Sequence, residues 1–438
     1  MKSRCRLPPR GGCWIKAATA ARRAALEILR EVRAGALLTD ARDRHLEGLA
    51  ERDRRLAYEL SAGVLRRQRE LDSALELDRA DPRLHDVLRL GAYQLRWLTR
   101  VPSHAAVSTS VELARETVGE GSTGYVNQAL RKLTGVGCQV SGAGSSHPDW
   151  LVQRWRHRFG VAETERLVEW NDAKPELILQ PARWDQETLA SRFRGMGLDV
   201  SEAPFGAGLR IALTPGTRHP APRDLPGFAE GAFIVQDPAH ALVARYAAIP
   251  RGELVYDACA APGGKAVALE AAGARILAGD ARHERLGRLA DTTRRAGVEI
   301  HCVGADLEAA PIRAAGMDAV LVDAPCSATG TMRRHPDARW RLDPTVFARA
   351  ATRQARLLAA AAPLVRPGGL LIYATCSLEP EENEHVVESF LNRNPGFTRS
   401  ARADASLPAE LLTDAGDFQS LPQRHGIDGA YAARLVRS

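Results

Sequence analysis

Five short apolar runs dominate the second half of the chain: ELVYDACA from Glu253, ARILAGD from Ala274, EIHCVGAD from Glu299, MDAVLVDAP from Met317 and GGLLIYATCS from Gly368. Helical segments separate them. Strands that alternate with helices in this way predict an α/β, Rossmann-like domain with a parallel, doubly wound sheet. Such sheets bind ligands outside the C-terminal ends of their strands. All five runs carry an Asp or a Cys there, so the chemistry of the chain is expected on that edge.

The rest of the chain reads differently. Residues 17–134 are rich in Ala, Leu and Arg, with apolar positions at helical spacing and with Pro82 and Pro102 between segments. They predict an all-α domain. Residues 1–16 read as a flexible basic arm, and the Gly- and Ser-rich stretch 135–148 as a linker. Two helices, then two short strands around a third helix, suggest a small α+β domain over 149–222. The Rossmann-like domain takes 223–438.

Charge is uneven. Through Leu133 there are 25 Lys and Arg against 17 Asp and Glu, and beyond it 35 against 36. The whole basic excess lies in the first third, which reads as a solvated surface or as a domain that binds a polyanion. The seven cysteines are irregularly spaced, with no Cys-x-x-Cys pair. That argues against a disulfide framework or a structural metal site and for a reducing cytoplasm. Cys326, His335 and Asp337 match no standard metal-ligand spacing. No apolar run is long enough to span a bilayer, so no membrane partner is expected.

The first strand runs into Asp257-Ala258-Cys259-Ala260-Ala261-Pro262-Gly263-Gly264-Lys265 and then a helix. A strand, a Gly-containing turn and a helix N-terminus form a ligand cradle, in which glycines admit close backbone approach. The second strand ends in Asp280, at the spacing that meets ribose hydroxyls. The third ends at Asp306, placed for an adenine amino group. Each of these acids, taken singly, also reads as a helix cap. Without a Gly-x-Gly-x-x-Gly fingerprint a dinucleotide is disfavoured, and S-adenosyl-L-methionine, which has no phosphate, fits better.

Cys326 follows the strand AVLVD in Asp323-Ala-Pro-Cys-Ser, and Cys376 follows LLIYA in Thr-Cys-Ser. A free cysteine is usually a small buried hydrophobe, and Cys5, Cys13, Cys138 and Cys302 are read so or as surface residues. Two cysteines in turns on the ligand edge suggest covalent catalysis at a pyrimidine carbon. Cytosine C5 is a poor nucleophile. A thiolate added to C6 makes C5 enamine-like and able to take a sulfonium methyl. An acid against the N3/N4 edge stabilises the adduct, and Asp323 is placed for that.

The stretches DACAAPGGK, LVDAPCSATGTMRRHPDARW and YATCSLEPEENE resemble the RNA cytosine-5 methyltransferases of the NOL1/NOP2/Sun family, the second of them the bacterial 16S ribosomal RNA members. RDRRLAYELSAGVLRR, LRLGAYQLRWLTRVPSHAAV and GYVNQALRKL are similar to the NusB-like RNA-binding domain fused to those enzymes. The resemblance implies Cys376 as nucleophile, Cys326 as the group that assists release, Asp323 on the target base and Lys265 near the active centre. It also implies a cofactor site lined by Ala258 to Gly264, Asp280 and Asp306, with Asp257 supporting the loop and Arg282 and Arg285 flanking it or solvated. RNA, 16S ribosomal RNA in the first place, is the implied partner; DNA is not expected, and a monomer is. Two places depart from the family pattern: Gln180-Pro181-Ala182 stands where the family has Arg-Val-Asn, and Ala430-Tyr431 where it has Phe-Phe.

Three alternatives remain at this stage. One is the same chemistry on another ribosomal or transfer RNA cytosine. The second is a NusB-like RNA-binding factor with an inactive methyltransferase domain; the intact cofactor loop and both cysteines argue against it. The third is an amino-group methyltransferase, which would need an Asn/Asp-Pro-Pro-aromatic loop and no thiol.

Overall fold

The computed structural model describes residues 12–134, 145–212, 221–400 and 407–438. The chain forms two compact units. Met1–Asp172 with His335–Arg341 make the first, Ala173–Arg334 with Leu342–Ser438 the second.

The first unit is helical: α1 (Gly12–Arg33), α2 (Leu38–Leu46), α3 (Glu51–Arg66), α4 (Gln68–Leu75), α5 (His85–Trp97), α6 (Ser103–Thr117), α7 (Thr123–Thr134), α8 (Asp149–Phe159) and α9 (Val161–Asp172). Ala21, Ala25, Ile28, Leu29 and Val32 recur every three or four residues and make one buried stripe of α1. With Leu60 and Val64 of α3, Val87 and Leu88 of α5 and Leu113 of α6 they form a single core. Full burial of each of the Leu, Ile and Val side chains contributes about 1.5–3 kcal/mol. Gly63 of α3 admits the closest approach: a Cβ there would lie 2.0 Å from the ring of Tyr93, which is buried and donates to Glu59 at 2.7 Å.

The second unit holds two sheets. The strands β1 (Leu177–Pro181), β2 (Val200–Glu202), β3 (Leu209–Ile211) and β4 (Phe233–Val235) make an antiparallel sheet in the order β2-β3-β1-β4, with α10 (Gln186–Gly195) between β1 and β2. After α11 (Pro238–Ala247) the chain alternates β5 (Leu254–Asp257), α12 (Gly264–Ala271), β6 (Arg275–Asp280), α13 (His283–Ala296), β7 (Ile300–Gly304) and β8 (Met317–Asp323). It makes the short helix α14 (Ala338–Arg341) within the first unit, then α15 (Val346–Ala361), β9 (Val365–Thr375) and α16 (Glu384–Arg393) in the second. The strands β10 (Phe397–Arg399), β11 (Phe418–Ser420) and β12 (Ala430–Arg437) complete the large sheet, with α17 (Pro422–His425) between the last two. The sheet runs β10-β12-β9-β8-β5-β6-β7, and β11 pairs with β12. Neighbours from β9 to β7 are parallel, whereas β12 is antiparallel to β9. The winding reverses between β5 and β8, so that pair forms the switch point where such sheets bind ligands.

Several sequence expectations shift. Helix α1 starts at Gly12, inside the stretch read as an arm, because no proline follows Pro9 to stop it; residues 1–11 lie outside the described ones. So do residues 135–144 of the expected linker. Helices α8 and α9, grouped above with the small α+β domain, belong to the first unit. The small sheet extends past residue 222, because β4 pairs with β1 through Leu179↔Val235 and Pro181↔Phe233. Gln180, the first departure from the family pattern, donates to the Ala207 carbonyl at 2.8 Å within this unit. Among the described residues no helix is long and apolar enough to cross a membrane.

His335–Arg341 complete the first unit. The last carbonyls of a helix have no intrahelical partner, and this segment supplies donors to two such ends. Trp340 Nε1 donates to Leu65 O of α3 at 2.7 Å. Arg339, fully buried, donates to Asn171 O of α9 at 3.0 Å and to the Asp172 carboxylate at 2.6 Å. Burial pulls its guanidinium down to about 10, with Asp172 opposing. The Leu38 amide at the start of α2 donates to Asp337.

Gly63→Ala should drive a methyl into the Tyr93 ring. Overpacking of this kind costs roughly 1–3 kcal/mol, against a gain of up to about 1 kcal/mol in helix propensity. A lowered urea midpoint is expected; an unchanged or raised one would show that Tyr93 moves aside freely.

Candidate active site

The loop after β5 is tied down on both sides. Ala258 N donates to Leu321 O of β8 and Ala260 N to Gly279 O of β6, both at 2.9 Å. Gly263 has φ +107° and precedes α12. A Cβ there would lie 2.9 Å from Leu289, and one at Gly264 2.6 Å from Gln236 Nε2. Both glycines therefore also make room for the protein's own side chains.

Three carboxylates stand at or just beyond the C-terminal ends of β5, β6 and β7. Asp257, at the end of β5, is 1 % exposed, and among the described residues neither of its oxygens meets a hydrogen-bond donor in good geometry. Burial and the charge of Asp323 push its carboxyl up to about 7, opposed by Lys265. Asp280 is buried at the end of β6 and accepts from the Arg282 amide at 2.8 Å. Asp306 is exposed beyond β7 and accepts from the Glu308 amide at 3.0 Å, as a cap does. Arg282 is exposed and Arg285 half-buried at the start of α13. Cys259 lies in the loop, its thiol pushed up by burial.

Lys265, in the first turn of α12, is buried. Its Nζ lies 2.6 Å from Asp323 Oδ2 and 3.0 Å from His240 Nδ1. Burial would lower the ammonium, but the charges of Asp323 and Asp257 and the Asp323 hydrogen bond hold it above its ordinary value. Lysine and aspartate thus form an ion pair at the end of β8. His240, from α11, was not anticipated, since nothing in the sequence links α11 to this edge.

The two cysteines meet. Cys326 Sγ and Cys376 Sγ are 3.2 Å apart. The hydrogen bond to Cys376, then burial, hold Cys326 well above the ordinary thiol range, so it stays protonated. Their loops are stitched together: Gly330 N donates to Cys376 O at 3.0 Å, and Leu378 N to Thr329 Oγ1 at 2.8 Å. Gly429 closes the stack by donating to Gly330 O at 2.8 Å; a Cβ on Gly330 would lie 2.5 Å from Gly429 O. Arg334 binds Asp237 at 2.6 Å and Asp428 at 2.8 Å behind these glycines. Burial and Asp237 push the Asp428 carboxyl up to about 7, against the pull of Arg334. Tyr431, at the second departure from the family pattern, is buried and donates to Asp417 at 2.6 Å, a bond a phenylalanine could not make.

The structure thus brings Cys326, Cys376, Asp323, Lys265, Asp257 and Asp280 to one edge, and leaves Asp306 and Arg282 at its exposed margin. An acceptor at the end of β6 beside a cradle without a phosphate-binding fingerprint fits a nucleoside ligand, and the paired thiols fit covalent chemistry on a neighbouring group.

Residues 247–436 match the family described as 16S rRNA methyltransferase RsmB/F, and residues 19–134 match the NusB family. The chain is 36 % identical to the probable ribosomal RNA small subunit methyltransferase B of Synechocystis sp., over 95 % of this chain and 99 % of that one. It is 34 % identical to the ribosomal RNA small subunit methyltransferase B of Salmonella typhi, over 89 % and 92 % of the two chains. Its fold matches the crystal structure of PH0851 with a TM-score of 0.77 at 24 % identity, covering 99 % of this chain and 100 % of that one.

Asp257 makes stability depend on pH. Its folded pKa lies above the ordinary 3.8. The neutral carboxyl's contribution is complete below that ordinary value and is lost as pH rises through about 7. Asp257→Asn cannot ionise, so its stability relative to the native chain should rise by roughly 2–3 kcal/mol from pH 5 to pH 8. Urea titrations at the two pH values check this; a pH-independent difference would place the carboxyl at its ordinary pKa.

Proposed function

The chain belongs to the ribosomal RNA small subunit methyltransferase B family, an S-adenosyl-L-methionine-dependent methyltransferase family, and on that premise we propose that it methylates C5 of a cytosine in 16S ribosomal RNA through a covalent intermediate. The observation that carries the reading is the Cys326–Cys376 pair, 3.2 Å apart and flanked by the Lys265–Asp323 ion pair. An enzyme that methylates an amino group needs neither thiol.

S-adenosyl-L-methionine supplies an electrophilic methyl on a sulfonium sulfur. In this reading the loop Ala258–Gly264 cradles it, Asp280 takes its ribose hydroxyls, and Asp306 and Arg285 lie at the margin of its site. Asp257 stiffens the loop from below. Lys265 fixes the Asp323 carboxylate, which meets the N3/N4 edge of the cytosine. Cys376 gives up its thiol proton to solvent and its Sγ bonds to C6, the C5–C6 double-bond pair moves to C5, and C5 takes the methyl, whose old bonding pair stays on the sulfonium sulfur. The C5 proton then passes to solvent, its C–H pair restores the C5–C6 double bond, the Cys376–C6 bond breaks and the thiolate departs. Cys326, the acid/base group beside the departing sulfur, assists that last step. The exposed cations of the first third supply RNA affinity through phosphate contacts, so binding should weaken as salt rises. Bisulfite sequencing of ribosomal RNA from a strain lacking the protein tests the target: a cytosine that loses its mark in 16S RNA supports the reading, and one in transfer or 23S RNA relocates it.

Cys376→Ala should give neither methylation nor a protein–RNA adduct. Cys326→Ala keeps the nucleophile, so a covalent complex should accumulate and survive denaturing electrophoresis. The reverse pattern would exchange the two roles, and normal methylation by both variants would sink the covalent mechanism.

Asp280→Ala should lose charge-assisted hydrogen bonds worth roughly 1.5–3 kcal/mol, a drop in cofactor affinity of about tenfold to a hundredfold. Calorimetric titration with S-adenosyl-L-methionine reads it. Native affinity would leave Asp280 only its bond to the Arg282 amide.

A further inference from the structure

Glu382 is fully buried. Its Oε2 accepts from the Ser327 amide at 2.9 Å and from Gln354 Nε2 at 3.0 Å, and its Oε1 from the Ser377 hydroxyl at 2.8 Å. Ser327 follows Cys326, and Ser377 follows Cys376. One carboxylate therefore holds the residue after each cysteine, on loops that leave two different strands. Its own backbone is anchored to β9: the Tyr373 hydroxyl donates to Glu382 O at 2.6 Å. The neighbouring Asn383 accepts from the Thr375 hydroxyl at 2.5 Å and donates to Ser377 O at 2.9 Å. Burying a carboxylate is costly, and burial raises this one above its ordinary pKa in spite of its donors. Filling the space does not require a carboxylate. Gathering partners from three separate segments requires a forked polar group at this place.

We propose that Glu382 is a positioning residue for the two-cysteine reaction. It sets the separation of the Cys326 and Cys376 sulfurs, so that the releasing group stands ready when the adduct has formed. The proposal rests on the reading of Cys376 as nucleophile and Cys326 as releasing group. Losing the carboxylate takes away the acceptor of the Ser327 amide and leaves the Cys326 loop the weaker Ser327–Ser377 hydroxyl contact at 3.2 Å and the Gln354 bond to Pro325 O at 3.1 Å, while Cys376 keeps its anchorage through Thr375 and Asn383. Release should therefore suffer more than attack. A glutamine in its place keeps one oxygen for Ser327 and Gln354 and can donate to the Ser377 hydroxyl, so it should rescue.

The experiment compares the native protein, Glu382→Ala, Glu382→Gln and Cys326→Ala for methyl transfer to ribosomal RNA and for covalent RNA complex on denaturing gels. Glu382→Ala is expected to turn over at least tenfold more slowly and to accumulate complex. Glu382→Gln should recover most of the rate without accumulation. Native turnover by Glu382→Ala overturns the proposal, as does slow turnover without complex while Cys326→Ala traps RNA; either result leaves Glu382 no more than a structural role. If Cys326→Ala traps nothing, the two-cysteine reading fails, and this proposal with it. Should Glu382→Ala fail to fold, Ser377→Ala removes one arm of the bridge. Closure of the Cys326–Cys376 disulfide by diamide, which takes both thiol hydrogens, then reports the sulfur spacing by peptide mapping. A severalfold slower closure supports the proposal, and an unchanged rate overturns it.

Discussion

Parallel pairing of β8 with β9 is the constraint on which the candidate site depends. The register sets Asp323 opposite Ala374, so Cys326 and Cys376 leave the sheet three and two residues beyond a matched pair. Neighbouring strands lie about 4.8 Å apart, and loops that start level on adjacent strands can bring their side chains into contact. A slip of one residue would turn every side chain of a strand to the opposite face. Tyr373 and Leu371 would exchange places with their neighbours, and the sulfurs would separate. Gly330, Gly429 and Glu382 refine an encounter that the sheet has already arranged.

Much of the fold was legible because its signals are local. Each run from β5 to β9 carries its own apolar content and its own terminal Asp or Cys, and each was found. The antiparallel strands β10, β11 and β12 were not. The Ala- and Arg-rich AYAARLVR carries a weak β signal, and the partner it pairs with over most of its length, β9, lies far off in sequence. The cysteines, Asp323 and Lys265 could be named from motifs, since a motif preserves chemistry at fixed spacing. His240 and Glu382 could not be given roles, because their partners come from different elements: Lys265 for the one, Ser327 and Gln354 for the other. Asp306 was placed on adenine by analogy of spacing, while its geometry is that of a turn cap.

Charge counting needs similar care. The basic excess of the first third invites a reading as surface potential, yet Arg22, Arg42, Arg66 and Arg89 are buried in the first unit. Arg89 binds Asp72 and Asp86, Arg22 binds Gln94, and Arg42 lies over the Tyr58 ring at 3.5 Å. Such groups hold helices together and are poorly placed to release counterions from a nucleic acid. The cations that remain at the surface are the ones whose interactions salt screens within about 8–10 Å.

The discontinuous make-up of the first unit bears on how the protein is made. A nascent chain emerges N-terminus first, and domains tend to fold as units in that order. Here the helices α1 to α9 of the first unit leave the ribosome before the segment that meets the C-terminal ends of α3 and α9, and Trp340 and Arg339 follow only after β5 to β8 have been synthesised. During that interval the Leu65 and Asn171 carbonyls and the Asp172 carboxylate must be met by water, or by a chaperone. The first unit is the first to begin folding, but it becomes complete only when much of the second has already been translated.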